Sequence, residues 1–277
     1  MVSYHDLIKT FHAFGFRRET PVIVHYGQEL PNKVNGGIST FMGALLSTVD
    51  NVLLPAFTFS TMVVPHQGPP DNGLRYGAED RHNQNAAIFS YTLPSECGNQ
   101  AAIEILKAFP GVYRSSHPIF SFYGLGLDIA LLDHTPSQPY FPIRKLRELN
   151  GWVLLADGDP SQNFSIHYAE KLAGRKQFQR WALTPDGAAA CPHFPGCSAG
   201  FHKLDYYLHG ELQQTRIANL SLSAVPIESL VNTTVALIKE DPFALLCNDL
   251  GCERCNLVRK AAKANFTTRW QPENQAP

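Results

Sequence analysis

"TPVIVHYGQELPNKVNGGISTFMGALLSTVDNVLLPAFTF" occupies residues 20–59. Residues 20–26 are rich in β-branched and aromatic side chains and run into Gly27, the pattern of a strand ending in a turn. Residues 38–49 place apolar side chains at helical spacing behind the pair Gly36-Gly37, and residues 51–59 return to a strand pattern. A β-α-β order predicts two parallel strands joined by a crossover helix within an α/β layer.

Upstream, "MVSYHDLIKTFHAFGFRRET" alternates apolar and polar residues without a continuous apolar core. It reads as an amphipathic helix and not as a signal peptide. No run approaches the roughly 20 apolar residues that span a bilayer, so the cytoplasm is the expected location. The 277 residues are 44% apolar and 17% charged, enough to build a sizeable core. A net charge of -1 and a pI near 6.8 give no electrostatic reason to expect nucleic acid or a membrane surface as partner. Six cysteines are too few for a disulfide scaffold and read as thiols or metal ligands.

Downstream, residues 62–89 form a long stretch rich in Pro, Gly and Asn, a length at which loops commonly contact ligands. Helices are expected in "ECGNQAAIEILKAFPG" (96–111), "FYGLGLDIALLDH" (122–134) and "ESLVNTTVALIKE" (228–240). "GWVLLADGD" (151–159) reads as a buried strand. The expected organisation is one domain over 1–265 and a polar tail over 266–277.

Five groups of residues carry possible chemistry. In "NFSIHYAEKL" (163–172), His167 and Glu170 share a helix face at i, i+3. Asn163 can cap the helix, and its dipole there works against a positive charge on the ring. A general base must be neutral, and a carboxylate can fix its tautomer. The same spacing also suits an ordinary polar helix face. Arg114, Ser115, Ser116 and His117 could bind an anionic or polyamide ligand, or equally cap a chain turn. His25, Tyr26 and Gly27 followed by Gly36 and Gly37 make a strand end and a Gly-opened helix, suited to phosphate or pantetheine. They match neither a Walker loop nor a dinucleotide fingerprint. "GCSAG" (196–200) has the form of a nucleophile elbow, but "ACPHFP" before it is no buried strand, which argues against a Ser198 hydrolase. Finally, Cys191 and Cys197, with Cys247, Cys252 and Cys255, could close a tetrahedral zinc site or remain unligated thiols.

Taken in order, "VIVHYG", the Gly-Gly helix opening, "LLPAFT", "RSSHP", "FPIRKLRELNGWVLLAD", "NFSIHYAE" and "GCERC" resemble the aminoglycoside 3-N-acetyltransferase, or antibiotic acetyltransferase, family. The resemblance runs from about His25 to Cys255. It implies a single mixed-sheet α/β domain and not the GNAT fold, whose R-x-x-G-x-G/A phosphate loop is missing here. It implies transfer of an acetyl group from acetyl-CoA to the 3-amino group of an aminoglycoside, hence antibiotic resistance. His167 would be the base and Glu170 its partner. His25, Tyr26, Gly27, Gly36, Gly37, Arg114, Ser115, Ser116 and His117 would contact the coenzyme, and the loop between Thr58 and Phe89, with its acids, would face the acceptor. Paired cysteines in some members imply structural zinc on Cys197, Cys252 and Cys255, with Cys191 or Cys247 as fourth ligand.

The chain departs from the family pattern at four places. Tyr26 and Gly27 stand where the family has a Ser pair, and Phe164 and Ser165 where it commonly has Thr. Phe141 replaces a Ser before Pro, and residues 93–95 read Leu-Pro-Ser. The changes touch ligand-facing loops and leave His167 and Glu170 in place. They open the acceptor to a different amine, such as an amino-sugar or amino-nucleoside; a zinc-stabilised binding module without chemistry is the reading from another class.

Overall fold

The computed structural model describes residues 1–77 and 81–269. Ten strands follow in chain order: β1 Pro21–Tyr26, β2 Asn51–Pro55, β3 Met62–Val63, β4 Tyr113–Arg114, β5 Phe122–Leu125, β6 Trp152–Ala156, β7 Phe178–Thr184, β8 Gly187–Phe194, β9 Gln213–Ile217 and β10 Leu220–Pro226. Seven form a mixed sheet in the order β4-β5-β2-β1-β6-β10-β9, and β3-β7-β8 form a second, antiparallel sheet.

The expected β-α-β unit is present. β1 pairs in parallel with β2, with Ile23 opposite Leu53, and the crossover is the helix Gly37–Thr48. β1 also pairs in parallel with β6, with Ile23 opposite Val153. β1 thus lies at the point where the chain first turns to one side and later to the other, and the crevice at the carboxyl ends of such strands is where ligands bind in open α/β sheets.

All six residues of β1 are buried, as a strand covered on both faces requires. Alternation sends Val22 and Val24 to one core, with Phe41, Leu45 and Leu54. Ile23 joins the other, with Leu53, Val153, Phe164 and Ile166. The first core is roofed by the helices Tyr4–Ala13, Gly37–Thr48 and Gln100–Lys107; the second by Phe141–Glu148, Phe164–Leu172 and Ile227–Glu240. Each fully buried aliphatic or aromatic side chain contributes about 1.5–3 kcal/mol.

Residues 122–134, read as a helix, split into β5 and the short helix Asp128–Leu131. The reason is Gly126, whose φ of +69° turns the chain out of the strand. The stretch from Asn51 leaves strand geometry at Pro55, and Phe59–Thr61 forms a 3-10 turn. The loop after it is pinned to β7 by Asn72, whose side chain accepts from the Gln179 N–H and donates to its carbonyl. The last helix runs Glu253–Arg269, across residue 265, and residues 270–277 lie outside the described residues.

Gly27 shows why β1 and β6 end so close together. Its N–H donates to the Ala156 carbonyl at 3.0 Å. A Cβ on Gly27 would stand 2.0 Å from the Asp157 carbonyl oxygen, closer than any side chain permits.

Candidate functional site

A cavity of about 600 Å³ opens at the carboxyl ends of β1 and β2. His25 and Tyr26 end β1 at the cavity, with Pro55 at the end of β2 and Phe57 just past it. Ser161, Gln162, Phe164 and His167 come from the turn and helix that follow β6. The lining is completed by Arg180 of β7, Phe194 of β8, the loop residues Pro195, Gly196 and Ser198, and Arg254 of the last helix. Cavities of this size, mostly apolar with a few converging polar groups, are the usual form of a small-molecule site.

His167 is placed by its helix. Asn163 caps it, accepting from the Ser165 N–H at 3.2 Å. Residues 164–170 are all buried, so the helix sits deep between core and cavity. His167 Nδ1 lies 2.6 Å from Glu170 Oε2, and the ring packs against Phe201 with centroids 4.7 Å apart. Its Nε2 has no hydrogen-bond partner among the described residues. The other carboxylate oxygen of Glu170 accepts from Arg175 Nη1, also at 2.6 Å. Arg175 Nη2 in turn donates to the carbonyls of Pro242 at 3.0 Å and Ala244 at 2.6 Å. Burial pushes the Glu170 carboxyl up, but the hydrogen bond and charge of His167 and the charge of Arg175 outweigh it and hold the group below its ordinary value. Glu170 is therefore a carboxylate, which accepts only, and the proton between it and His167 belongs on Nδ1. When the ring is neutral, that arrangement leaves the lone pair on Nε2, the nitrogen not engaged by Glu170.

His25 also lines the cavity. It is buried, its Nε2 has no partner among the described residues, and burial drives its pKa down to about 3. The neutral ring thus contributes to the cavity wall with one buried nitrogen left unpaired among the described residues.

Of the residues expected at a coenzyme site, His25 and Tyr26 line the cavity and Gly27 adjoins them. Gly36 and Gly37 open their helix with φ of +82° and +65° and are not among the lining residues. Arg114 to His117 are also away from the lining. The Arg114 guanidinium donates to the carbonyls of Tyr91, Leu93 and Ala56 and to Ser121 Oγ. Ser115 Oγ accepts from the Phe122 N–H and meets His134 Nδ1. Ser116 Oγ donates to the His134 carbonyl. His117 Nδ1 accepts from the N–H groups of Ile119 and Phe120. The group thereby clasps β4, β5 and the loop at residues 91–93. Phe59 and Met62 bring the expected acceptor loop to the cavity; Asp71 pairs instead with Lys260, and Glu79 and Asp80 lie outside the described residues.

The sulfur atoms of Cys197, Cys247, Cys252 and Cys255 lie within 4.8 Å of one another. Four thiolates at a Zn–S distance of about 2.3 Å in a tetrahedron require sulfur separations of about 3.8 Å, and Cys247 and Cys255 stand 3.4 Å apart. The fourth member is Cys247. Cys191 is held inside β8, buried, with its Sγ toward the Ala189 carbonyl. Sequence reasoning missed Arg175, Arg180 and Arg254, because the carbonyls that anchor them, those of Pro242 and Ala244, Asn72, and Gly196, lie far along the chain.

Fold and cavity define an α/β domain with a cavity at the carboxyl ends of its parallel strands. The family model described as aminoglycoside 3-N-acetyltransferase matches residues 23–239, and the chain belongs to that family. It is 30% identical over 181 residues to aminoglycoside N(3)-acetyltransferase IX of Micromonospora chalcea, covering 61% of this chain and 60% of the relative. It is 26% identical over 166 residues to the prophage-derived aminoglycoside N(3')-acetyltransferase-like protein YokD of Bacillus subtilis, covering 57% and 61%. The aligned stretch thus spans about three-fifths of these curated relatives. The crystal structure of YokD superposes with a TM-score of 0.73 at 17% identity, over 87% of this chain and 94% of that one. A complex of AAC-IIIb with CoASH gives 0.66 at 20% identity, over 86% and 97%. The mixed-sheet α/β fold expected from the sequence is the fold observed. Among the described residues no helix is long and apolar enough to cross a membrane.

Proposed function

We propose that the chain transfers the acetyl group of acetyl-CoA to an amine by direct attack, with His167 as general base. The observation that carries this reading is the relay His167–Glu170–Arg175 at the wall of the main cavity. His167 Nε2 takes the proton of the attacking amine as its nitrogen forms the bond to the thioester carbonyl carbon. Collapse of the intermediate breaks the C–S bond, and the proton held on His167 passes to the departing sulfur, which releases the coenzyme thiol and restores the neutral ring. Glu170 holds the tautomer and offsets the imidazolium that forms; Arg175 holds Glu170. Such a base contributes about 100- to 10,000-fold, and juxtaposing the two substrates contributes further. His25, Tyr26 and the Gly27 turn are the chain's contacts for the coenzyme arm; membership of the family and the CoASH complex of AAC-IIIb support this. Cys197, Cys247, Cys252 and Cys255 would hold a zinc ion with no open position, which stabilises the fold and takes no part in the chemistry.

The first acceptor to test is the 3-amino group of an aminoglycoside antibiotic. Thiol release with acetyl-CoA and a 2-deoxystreptamine panel, lost in His167→Ala, is the expected result. No release from any member of the panel would sink this acceptor. A second reading keeps the chemistry and changes the amine, to an amino-sugar or amino-nucleoside. One observation favours it: among the described residues, the cavity lining carries two arginines and no carboxylate, whereas aminoglycosides are polycations.

A further inference from the structure

Arg180 and Arg254 face the same cavity from different elements. Arg180 is buried and clamped. Its guanidinium stacks 4.8 Å from the Phe194 ring and 5.7 Å from that of Phe178, and Nη1 donates to the carbonyls of Asn72 at 3.0 Å and Gln179 at 2.7 Å. Arg254 sits between Cys252 and Cys255 in the first turn of the last helix, and its Nη1 donates to the Gly196 carbonyl at 3.0 Å. Gly196 precedes Cys197, so the four-cysteine cluster fixes both ends of that bond.

Among the described residues, neither arginine has a carboxylate within 4.0 Å. Glu253 is exposed and acts on Arg180 only from a distance. Burial first, and Arg254 second, lower the Arg180 pKa to about 10. Two guanidinium groups in one cavity, with no carboxylate beside them among the described residues, are costly, and the positive end of the last helix adds to the local potential. A planar fork of N–H donors suits an oxyanion such as carboxylate or phosphate.

Accepting the N-acyltransfer reading above, we infer that Arg180 and Arg254 form an oxyanion subsite for an acidic group carried by the amine acceptor. The acceptor is then an amino-sugar or similar amine bearing a carboxylate or a phosphate, oriented by that group so that its nitrogen meets His167. His25 and Tyr26 reach the same cavity from the end of β1, in the seven-stranded sheet, whereas Arg180 reaches it from the second sheet.

The test compares glucosamine, muramic acid, glucosamine 6-phosphate and a 2-deoxystreptamine aminoglycoside in a thiol-release assay with acetyl-CoA. The expected result is a KM at least about tenfold lower for an anionic amino-sugar than for glucosamine, because hydrogen bonds to charged groups are stronger than neutral ones. Muramic acid and glucosamine 6-phosphate separate a carboxylate from a phosphate as the anion. Arg254→Gln should erase that preference and leave the KM for acetyl-CoA unchanged, and Arg254→Lys should keep part of it. Calorimetric titration of the intact protein with inorganic phosphate, and with lactate, reads the subsite without catalysis. Anion binding weakened in Arg254→Gln, with no thiol release from any acceptor, supports the subsite and sinks the acyltransfer reading. The subsite is overturned if glucosamine or the aminoglycoside is preferred in the unmodified protein. It is also overturned if Arg254→Gln raises only the KM for acetyl-CoA, or if neither anion binds.

Discussion

Arg175 Nη1 lies 2.6 Å from Glu170 Oε1, and both side chains are 2% exposed. The pair is therefore a buried ion bridge whose second oxygen is committed to His167. Removing either partner leaves the other charge in the core, a loss of about 3–5 kcal/mol. Arg175→Ala should lower the urea midpoint accordingly, because the Glu170 carboxylate then faces the interior with only His167. Arg175→Lys keeps the charge but cannot reach both Glu170 and the carbonyls of Pro242 and Ala244 with the same fork, so an intermediate loss is expected. An unchanged midpoint in Arg175→Ala would show that the bridge does not support the fold.

The same bridge sets an acid limit on stability. The folded-state pKa of Glu170 lies below its ordinary value of 4.5. A group whose pKa is depressed on folding stabilises fully above its unfolded pKa and loses that contribution as pH falls through the folded one. The window thus begins near pH 4.5 and extends downward. Urea midpoints of the unmodified protein should fall more steeply across it than those of Glu170→Gln, which has no proton to gain there. Parallel curves would assign the acid sensitivity to other carboxylates.

Catalysis is the stricter test of the pair. His167→Ala is expected to reduce kcat by about 100- to 10,000-fold with any productive acceptor. Glu170→Gln should give a smaller kcat loss with little change in the KM for acetyl-CoA, since it disturbs tautomer and orientation and not coenzyme contact. Stopped assays of thiol release measure both. A Glu170→Gln enzyme with full activity would reduce Glu170 to a packing role.

His167 and Glu170 were legible because the relation is local: three residues on one helix fix their proximity. The β1–helix–β2 unit was legible for the same reason. Arg175 follows the helix by only a few residues, yet its role depends on the carbonyls of Pro242 and Ala244, which no local pattern announces. Arg180 and Arg254 meet only through the second sheet and the cysteine cluster. The β7–β8 hairpin did have a local signal in Pro185-Asp186-Gly187, where Thr184 Oγ1 donates to the Gly187 carbonyl. The polarity of Arg114–His117 is compatible with either a ligand site or an internal clasp, and only the backbone placed around it shows which groups its donors meet.

Gly27 makes a prediction about the floor of the site. A methyl group there would collide with the Asp157 carbonyl, which is backbone and cannot swing away. Gly27→Ala should destabilise the protein by about 1–3 kcal/mol, the usual cost of overpacking, and move the ends of β1 and β6 apart. The readout is a lower melting temperature with a raised KM for acetyl-CoA, because His25 and Tyr26 precede the turn. Wild-type melting would mean that the two strand ends separate freely.

The cysteine cluster distinguishes two candidates by geometry. β8 carries Cys191 within the sheet and ends at Phe194, so Cys197 lies past the strand in a loop free to approach the C-x-x-C segment. Metal analysis of the purified protein is expected to give one zinc per chain. Cys191→Ser should retain it, at a cost confined to local packing, while Cys247→Ser should lose most of it and melt at a lower temperature. Structural zinc sites contribute directly to folding, so a strong chelator should lower the melting temperature of the unmodified protein and leave that of Cys247→Ser nearly unchanged. Zinc retained in Cys247→Ser but lost in Cys191→Ser would reverse the ligand assignment. Zinc absent from the unmodified protein, with four titratable thiols at these positions, would leave the cluster as packed cysteines.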